Sequence, residues 1–146
     1  MSKSSDFRDT PAHLIRRAHQ LAVAIFMEET SEYAVTPVQF SILAALLDSP
    51  GEDQVSLAAH VAFDAATSGS VVSRLEARGW IHREADVGDR RRKRLWVTPD
   101  GRQAVREIRR AAKRAQNRVM GPLAANEQEV LKELLSKMIT RLEAPQ

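Results

Sequence analysis

Cysteine is absent from the chain, which excludes disulfides, thiolate catalysis, cysteine redox sensing and Cys-ligated zinc. No apolar run approaches the roughly 18 residues that suggest a spanning helix. The opening MSKSSDFRDTP also lacks the apolar core of a secretory leader. A soluble cytoplasmic protein with no membrane partner is the expectation. Catalytic signatures are missing as well. The four histidines, His13, His19, His60 and His82, are scattered, and there is no HExxH pair, phosphate-cradling glycine loop or nucleophile elbow. No enzyme, cofactor or metal site is expected.

What is present is a single domain's worth of chain, 146 residues, with a lopsided charge. The net charge is +3, yet residues 64–118 hold 15 Lys/Arg against 7 Asp/Glu, while the remainder holds 7 against 12. A basic middle on an acidic body points to a polyanionic partner.

The stretch DAATSGSVVSRLEARGW, Asp64–Trp80, reads as a helix capped by Asp64 and ended by Gly79. Helical spacing sends Val71, Val72 and Leu75 inward and leaves Thr67, Ser70, Ser73, Arg74 and Arg78 on a polar face suited to a groove. Gly69, mid-helix, predicts close approach of a neighbouring backbone. Before it, Thr36-Pro37-x-Gln39 predicts a capped helix to about Leu47, with Phe40, Leu43, Ala44 and Leu47 as its seam. A short helix from Gln54 to Val61 follows, and the short pair has the form of a helix-turn-helix.

After it, Trp80–Arg83 and Leu95–Thr98 are β-prone runs flanking the basic run Arg90, Arg91, Arg92, Lys93 and Arg94. Five adjacent cations need solvent or anions, and phosphates are the natural anions. A hairpin with a cationic tip beside a groove-reading helix is a winged helix-turn-helix on duplex DNA. Long helices flank this lobe. Pro11 to Glu29 carries an apolar stripe from Leu14 to Phe26, with Arg16, Gln20, Val23 and Met27 on a second side and His19 at the border. Thr98-Pro99 opens a helix to Met120, and Asn126-x-x-Glu129 predicts the cap of a last helix with a stripe from Val130 to Leu142. The expected fold is mainly α with a small β-hairpin wing. One domain over 1–146 would place dimerisation helices at 11–30 and 99–142 around a DNA-binding lobe at 36–98.

This order of elements resembles the multiple-antibiotic-resistance regulator (MarR) family over about Leu14 to Leu142. The most specific match is the wing signature of aspartate, any residue, arginine, five residues and Leu-Thr, here Asp89, Arg91 and Val97-Thr98. Leu57-Ala58, Thr67 and RLEARG at Arg74–Gly79 also fit. The resemblance implies a homodimer with interleaved termini on an inverted-repeat duplex. It carries Thr67, Ser68, Ser70 and Arg74 toward the major groove and residues among Arg90–Arg94 toward the minor groove or backbone, with Asp89 restraining Arg91. Ala65 stands where many members have a phosphate-anchoring arginine, which shifts that role to Arg74 and the wing. HLIRRAHQ at His13–Gln20, before TPVQFSILAAL at Thr36–Leu46, is similar to the subgroup responsive to aromatic carboxylates or their coenzyme A thioesters. That likeness implies a repressor of an aromatic-compound catabolic operon, with Arg16 on the effector carboxylate, His19 and Gln20 beside it, and Phe40 and Leu43 as walls. A DNA-binding regulator or architectural protein without an effector remains the alternative.

Overall fold

The computed structural model describes residues 6–61 and 65–145. Among them run α1 (Pro11–Glu29), α2 (Pro37–Asp48), α3 (Gln54–His60), α4 (Ala65–Ala77), β1 (Ile81–Ala85), β2 (Lys93–Val97), α5 (Pro99–Met120) and α6 (Ala125–Glu143). This is the mainly helical winged helix-turn-helix that the sequence predicts. No helix among the described residues is long and apolar enough to cross a membrane.

Local chemistry sets most boundaries. Thr10, Thr36 and Thr98 each accept a backbone N–H with their side chains at a helix start, and each is followed by proline in the first turn. In α2 the capping box is complete: Thr36 Oγ1 accepts from Gln39 N–H and Gln39 Oε1 accepts from Thr36 N–H, both at 3.1 Å. Asp53 caps α3 by accepting from the amides of Val55 and Ser56. Gly79, at φ +79°, supplies the left-handed turn after α4.

Two expectations need correction here. The buried face of α2 is Gln39, Ile42, Leu43 and Leu46 rather than the predicted seam, of which only Leu43 is fully enclosed. The helix lies centrally against α4, α5 and β2, and a helix apolar on most sides carries no periodicity that selects one face. The last helix begins before Asn126. Glu127 Oε1 accepts the Ala124 backbone N–H at 2.8 Å, and the Gln128 side-chain Nε2 donates to the carbonyls of Met120 and Leu123, closing the α5–α6 corner early.

Two apolar clusters form the core. One lies inside the reading lobe, where Ile42, Leu46, Leu57, Val72, Leu75 and Leu95 are enclosed. The other lies where α1 crosses α5, around Phe26, Val35 and Ile108. Phe40 and Trp80 pack against both. Close contact continues at Gly101, where a Cβ would run into the Trp80 carbonyl oxygen. By contrast, α6 buries nothing: Leu131, Leu134, Leu135, Met138, Ile139 and Leu142 are all exposed, as are Leu14, Ile15 and Leu21 of α1.

The hairpin pairs Ile81 with Val97, His82 with Trp96, Arg83 with Leu95, and Glu84 with Arg94. Residues before α3 extend this sheet, with Gly51 N–H donating to Leu95 O at 2.8 Å and Leu95 N–H donating to Glu52 O at 3.0 Å. The wing is therefore hydrogen-bonded to the entry of the helix-turn-helix.

Candidate nucleic-acid interface and ligand groove

On α4 the structure exposes Thr67, Ser70, Ser73 and Arg74 and buries Val72 and Leu75, as spacing predicts. Ser68 departs from expectation. It is fully buried, four residues before Val72 and seven before Leu75, and its hydroxyl has no hydrogen-bond partner. It belongs to the inward face and does not reach a groove. Gly69 also differs in detail: a Cβ there would lie 3.2 Å from Gln54 Nε2, so the close neighbour is an α3 side chain rather than a backbone. The Asp64 cap lies outside the described residues. Arg78 turns back from the polar face, donating to the carbonyls of Ala34 (2.8 Å) and Tyr33 (2.6 Å) with its guanidinium 3.6 Å from the centre of the Trp80 ring.

The wing is braced by a residue the motif did not single out. Asp86 Oδ1 accepts from Arg94 Nε at 2.6 Å, and Asp86 Oδ2 accepts the Asp89 amide at 3.1 Å. The Arg94 hydrogen bond holds the Asp86 carboxyl below its ordinary range, reinforced by the Asp89 amide and opposed by partial burial. Arg94 Nη1 also donates to Gly51 O at 3.0 Å. The expected restraint of Arg91 by Asp89 takes another form: Asp89 Oδ1 accepts the Arg91 backbone amide at 3.0 Å, which shapes the turn and leaves the guanidinium outside it. Arg92 lies 3.8 Å from Asp53, a loose pair. Arg90, Arg91 and Lys93 are exposed with no ion pair among the described residues, so the cationic tip is available.

Arg83 was missed as a site residue. Alternation along β1 places it on the same face as buried Ile81, opposite buried Leu95, so its charge is directed toward α3 and α4. There Nη1 donates to Gln54 Oε1 (3.1 Å), Nη2 to Ser73 Oγ (3.3 Å) and Glu76 Oε1 (3.0 Å), and Nε to Glu76 Oε2 (3.4 Å). The Glu76 carboxyl is lowered chiefly by this hydrogen bonding. A cleft of about 230 Å³ opens here between α3 and the wing, bordered by Asp53, Gln54, Arg83, Arg91 and Lys93. The signal was in the sequence, since Ile81-x-Arg83 at period two sends an arginine inward.

The predicted effector residues are not gathered into one cavity. A groove of about 540 Å³ runs between α1, the end of α5 and α6, lined mostly by apolar side chains, with His19, Gln116 and Lys132 as its polar members. Only His19 of the five expected residues lines it. Arg16 is exposed and bonded to His13 Nδ1 at 3.2 Å, and Gln20 accepts from Arg17 at 2.9 Å. Phe40 is half-buried against Phe26. Leu43 is fully enclosed in the core and cannot wall a ligand site.

A sequence model of the MarR family matches residues 35–93, from the lead into α2 through the wing tip. The HTH-type transcriptional repressor NicR of Pseudomonas putida is 34% identical over 134 residues, covering 92% of this chain and 85% of NicR. Among solved structures, BpsR of Bordetella bronchiseptica, whose DNA binding is regulated by 6-hydroxynicotinic acid, superposes with a TM-score of 0.87. It is 34% identical, over 95% of this chain and 97% of BpsR. The PcaV transcriptional regulator of Streptomyces coelicolor, solved with its natural ligand, also gives 0.87, at 33% identity over 94% of this chain and 97% of PcaV.

Proposed function

The chain belongs to the MarR family of transcriptional regulators, and on that premise we propose that it works as a homodimer on an inverted-repeat DNA duplex. The observation that carries this reading is the joint presentation of two surfaces: the polar face of α4 with Thr67, Ser70 and Arg74, and the exposed wing cations Arg90, Arg91 and Lys93, which form no ion pair among the described residues. The helix supplies hydrogen-bonding groups for base edges, and the wing supplies charge for phosphates or the minor groove. Arg94 stiffens the wing, Arg92 stays exposed beside the other tip cations, and Ser73 serves as a partner of Arg83. The exposed stripes of α6 and α1 close on a second copy, which sets two recognition helices about 34 Å apart, one turn of duplex.

The effector is a small aromatic carboxylate or its thioester, and the target is an aromatic-compound catabolic operon that it de-represses. Similarity to BpsR, whose DNA binding is regulated by 6-hydroxynicotinic acid, supports this class. His19 and Lys132 offer polar contacts at the groove, and Arg16, on α1 but outside the groove's lining in a single chain, offers a bidentate partner for the carboxylate. Such a ligand weakens DNA binding only through unequal affinity for two dimer geometries. A second reading, a regulator or architectural protein without an effector, is favoured by one observation: a single chain does not bring Arg16, Gln20, Phe40 and Leu43 together.

One experiment tests both halves. Duplexes selected from a random library by the purified protein are titrated at several salt concentrations, with and without 6-hydroxynicotinate and a panel of hydroxybenzoates. The expected result is salt-sensitive binding by a dimer, weakened by at least one acid. Binding unmoved by the whole panel removes the effector. A monomer that retains no duplex at any salt concentration overturns the reading.

A further inference from the structure

We propose that Arg83 is a positioning residue for DNA reading: it fixes the recognition helix relative to the wing and thereby sets how sharply the protein discriminates sequence. The inference rests on the DNA-binding reading above. Arg83 stands on β1 at the base of the wing and holds two other elements at once, Gln54 of α3 and both Ser73 and Glu76 of α4. Its flat guanidinium uses one edge for Gln54 and the other for the Glu76 carboxylate, a geometry that a lysine ammonium does not reproduce.

The consequence extends to the middle of α4. With Gln54 Oε1 taken by Arg83, Gln54 Nε2 is left facing Gly69, against the space where a Cβ would stand 3.2 Å away. The spacing between α3 and α4 is thus set by an amide whose orientation Arg83 fixes. Arg83 and Glu76 are partly solvated, so the pair adds little to global stability. Its effect is orientation, and base-edge hydrogen bonds are sensitive to small displacements of the helix that carries them. Because Glu76 neutralises it and each of its three guanidinium nitrogens already donates a hydrogen bond within the protein, Arg83 does not serve as a phosphate contact.

Full-length wild type, Arg83→Gln, Arg83→Lys, Glu76→Gln and Arg91→Gln are compared on the wild-type-selected duplex and a scrambled one, across a salt series, with melting temperatures recorded. The expected result is that Arg83→Gln and Arg83→Lys each lower the selected-to-scrambled affinity ratio about tenfold at an unchanged salt slope. Glu76→Gln, which keeps the arginine but removes its charged anchor, should lower that ratio in the same direction. Arg91→Gln weakens both duplexes in parallel and lessens the slope by about one. An unchanged ratio in Arg83→Gln overturns the proposal, as does full function in Arg83→Lys. A slope reduced by about one in Arg83→Gln with its ratio intact would make the residue a phosphate contact instead. Should Arg83→Gln fail to fold, the ratio in Arg83→Lys and Glu76→Gln decides. Wild type that binds neither duplex defeats the functional reading itself, a result separable from all of these.

Discussion

Arg94 donates to Asp86 across the hairpin at 2.6 Å, tying the strand that leaves the wing tip to the turn that enters it. The Asp86 carboxyl is depressed by this hydrogen bond, so its stabilising contribution is complete above the ordinary aspartate range, near 3.9, and is lost as pH falls through the lowered folded value. Amide exchange at Asp86, whose N–H bonds to Arg92 O, should therefore be slow at neutral pH relative to a free amide and lose protection in acid. Asp86→Asn should show that loosened wing already at neutral pH. Equal protection in both proteins at pH 7 would mean the latch does not hold the tip.

Gly101 should tolerate no side chain. A Cβ there meets the Trp80 carbonyl and the Val97 side chain, neither of which can move without parting α5 from the wing. Gly101→Ala is expected to cost about 1–3 kcal/mol, seen as a melting temperature lower by roughly 3–10 °C. A melting curve superimposable on wild type would show that the joint yields freely.

Arg78 fastens the end of the recognition helix to the corner between α1 and α2, where Ala34 sits in the left-handed region at φ +48°. Arg78→Met removes two hydrogen bonds to backbone carbonyls and the contact with Trp80. Because the site is exposed, the expected loss is only about 1 kcal/mol in urea denaturation. Ala34→Gly, which relieves the unfavourable backbone geometry, should move stability the other way by a few tenths to about 1 kcal/mol. A shift of Ala34→Gly toward lower stability would contradict the strain.

Leu134 is half exposed on α6 and touches no core. Leu134→Lys should leave the folded single chain intact and weaken self-association by about 10²–10³-fold, since two copies of the lost apolar contact count in a symmetric interface. Sedimentation velocity across a dilution series measures it. An unaltered dimer would place the interface elsewhere.

Much of this molecule is legible in its sequence, for reasons that differ by element. Thr36, Pro37 and Gln39 announce α2 because capping chemistry is local, and the run from Arg90 to Arg94 announces a solvated wing because adjacent cations have nowhere else to go. The buried face of α2 is not legible, since a helix enclosed on several sides lacks a polar face to mark the other. Ser68 was misplaced because a small hydroxyl carries little hydrophobic signal of its own; only its spacing from Val72 and Leu75 shows that it points inward. Asp86, Arg78 and Arg83 find partners 8, 44 and 29 residues away in the chain, and such pairings depend on tertiary placement. The effector residues were grouped by family likeness rather than by geometry, and Leu43 proved to be core.

Phe40 and Trp80 each pack against both apolar clusters, which joins the reading lobe to the layer made by α1 and α5. When two copies close on the exposed stripes of α1 and α6 as proposed, a ligand in the groove between those helices acts on the joint between copies rather than on the reading lobe itself.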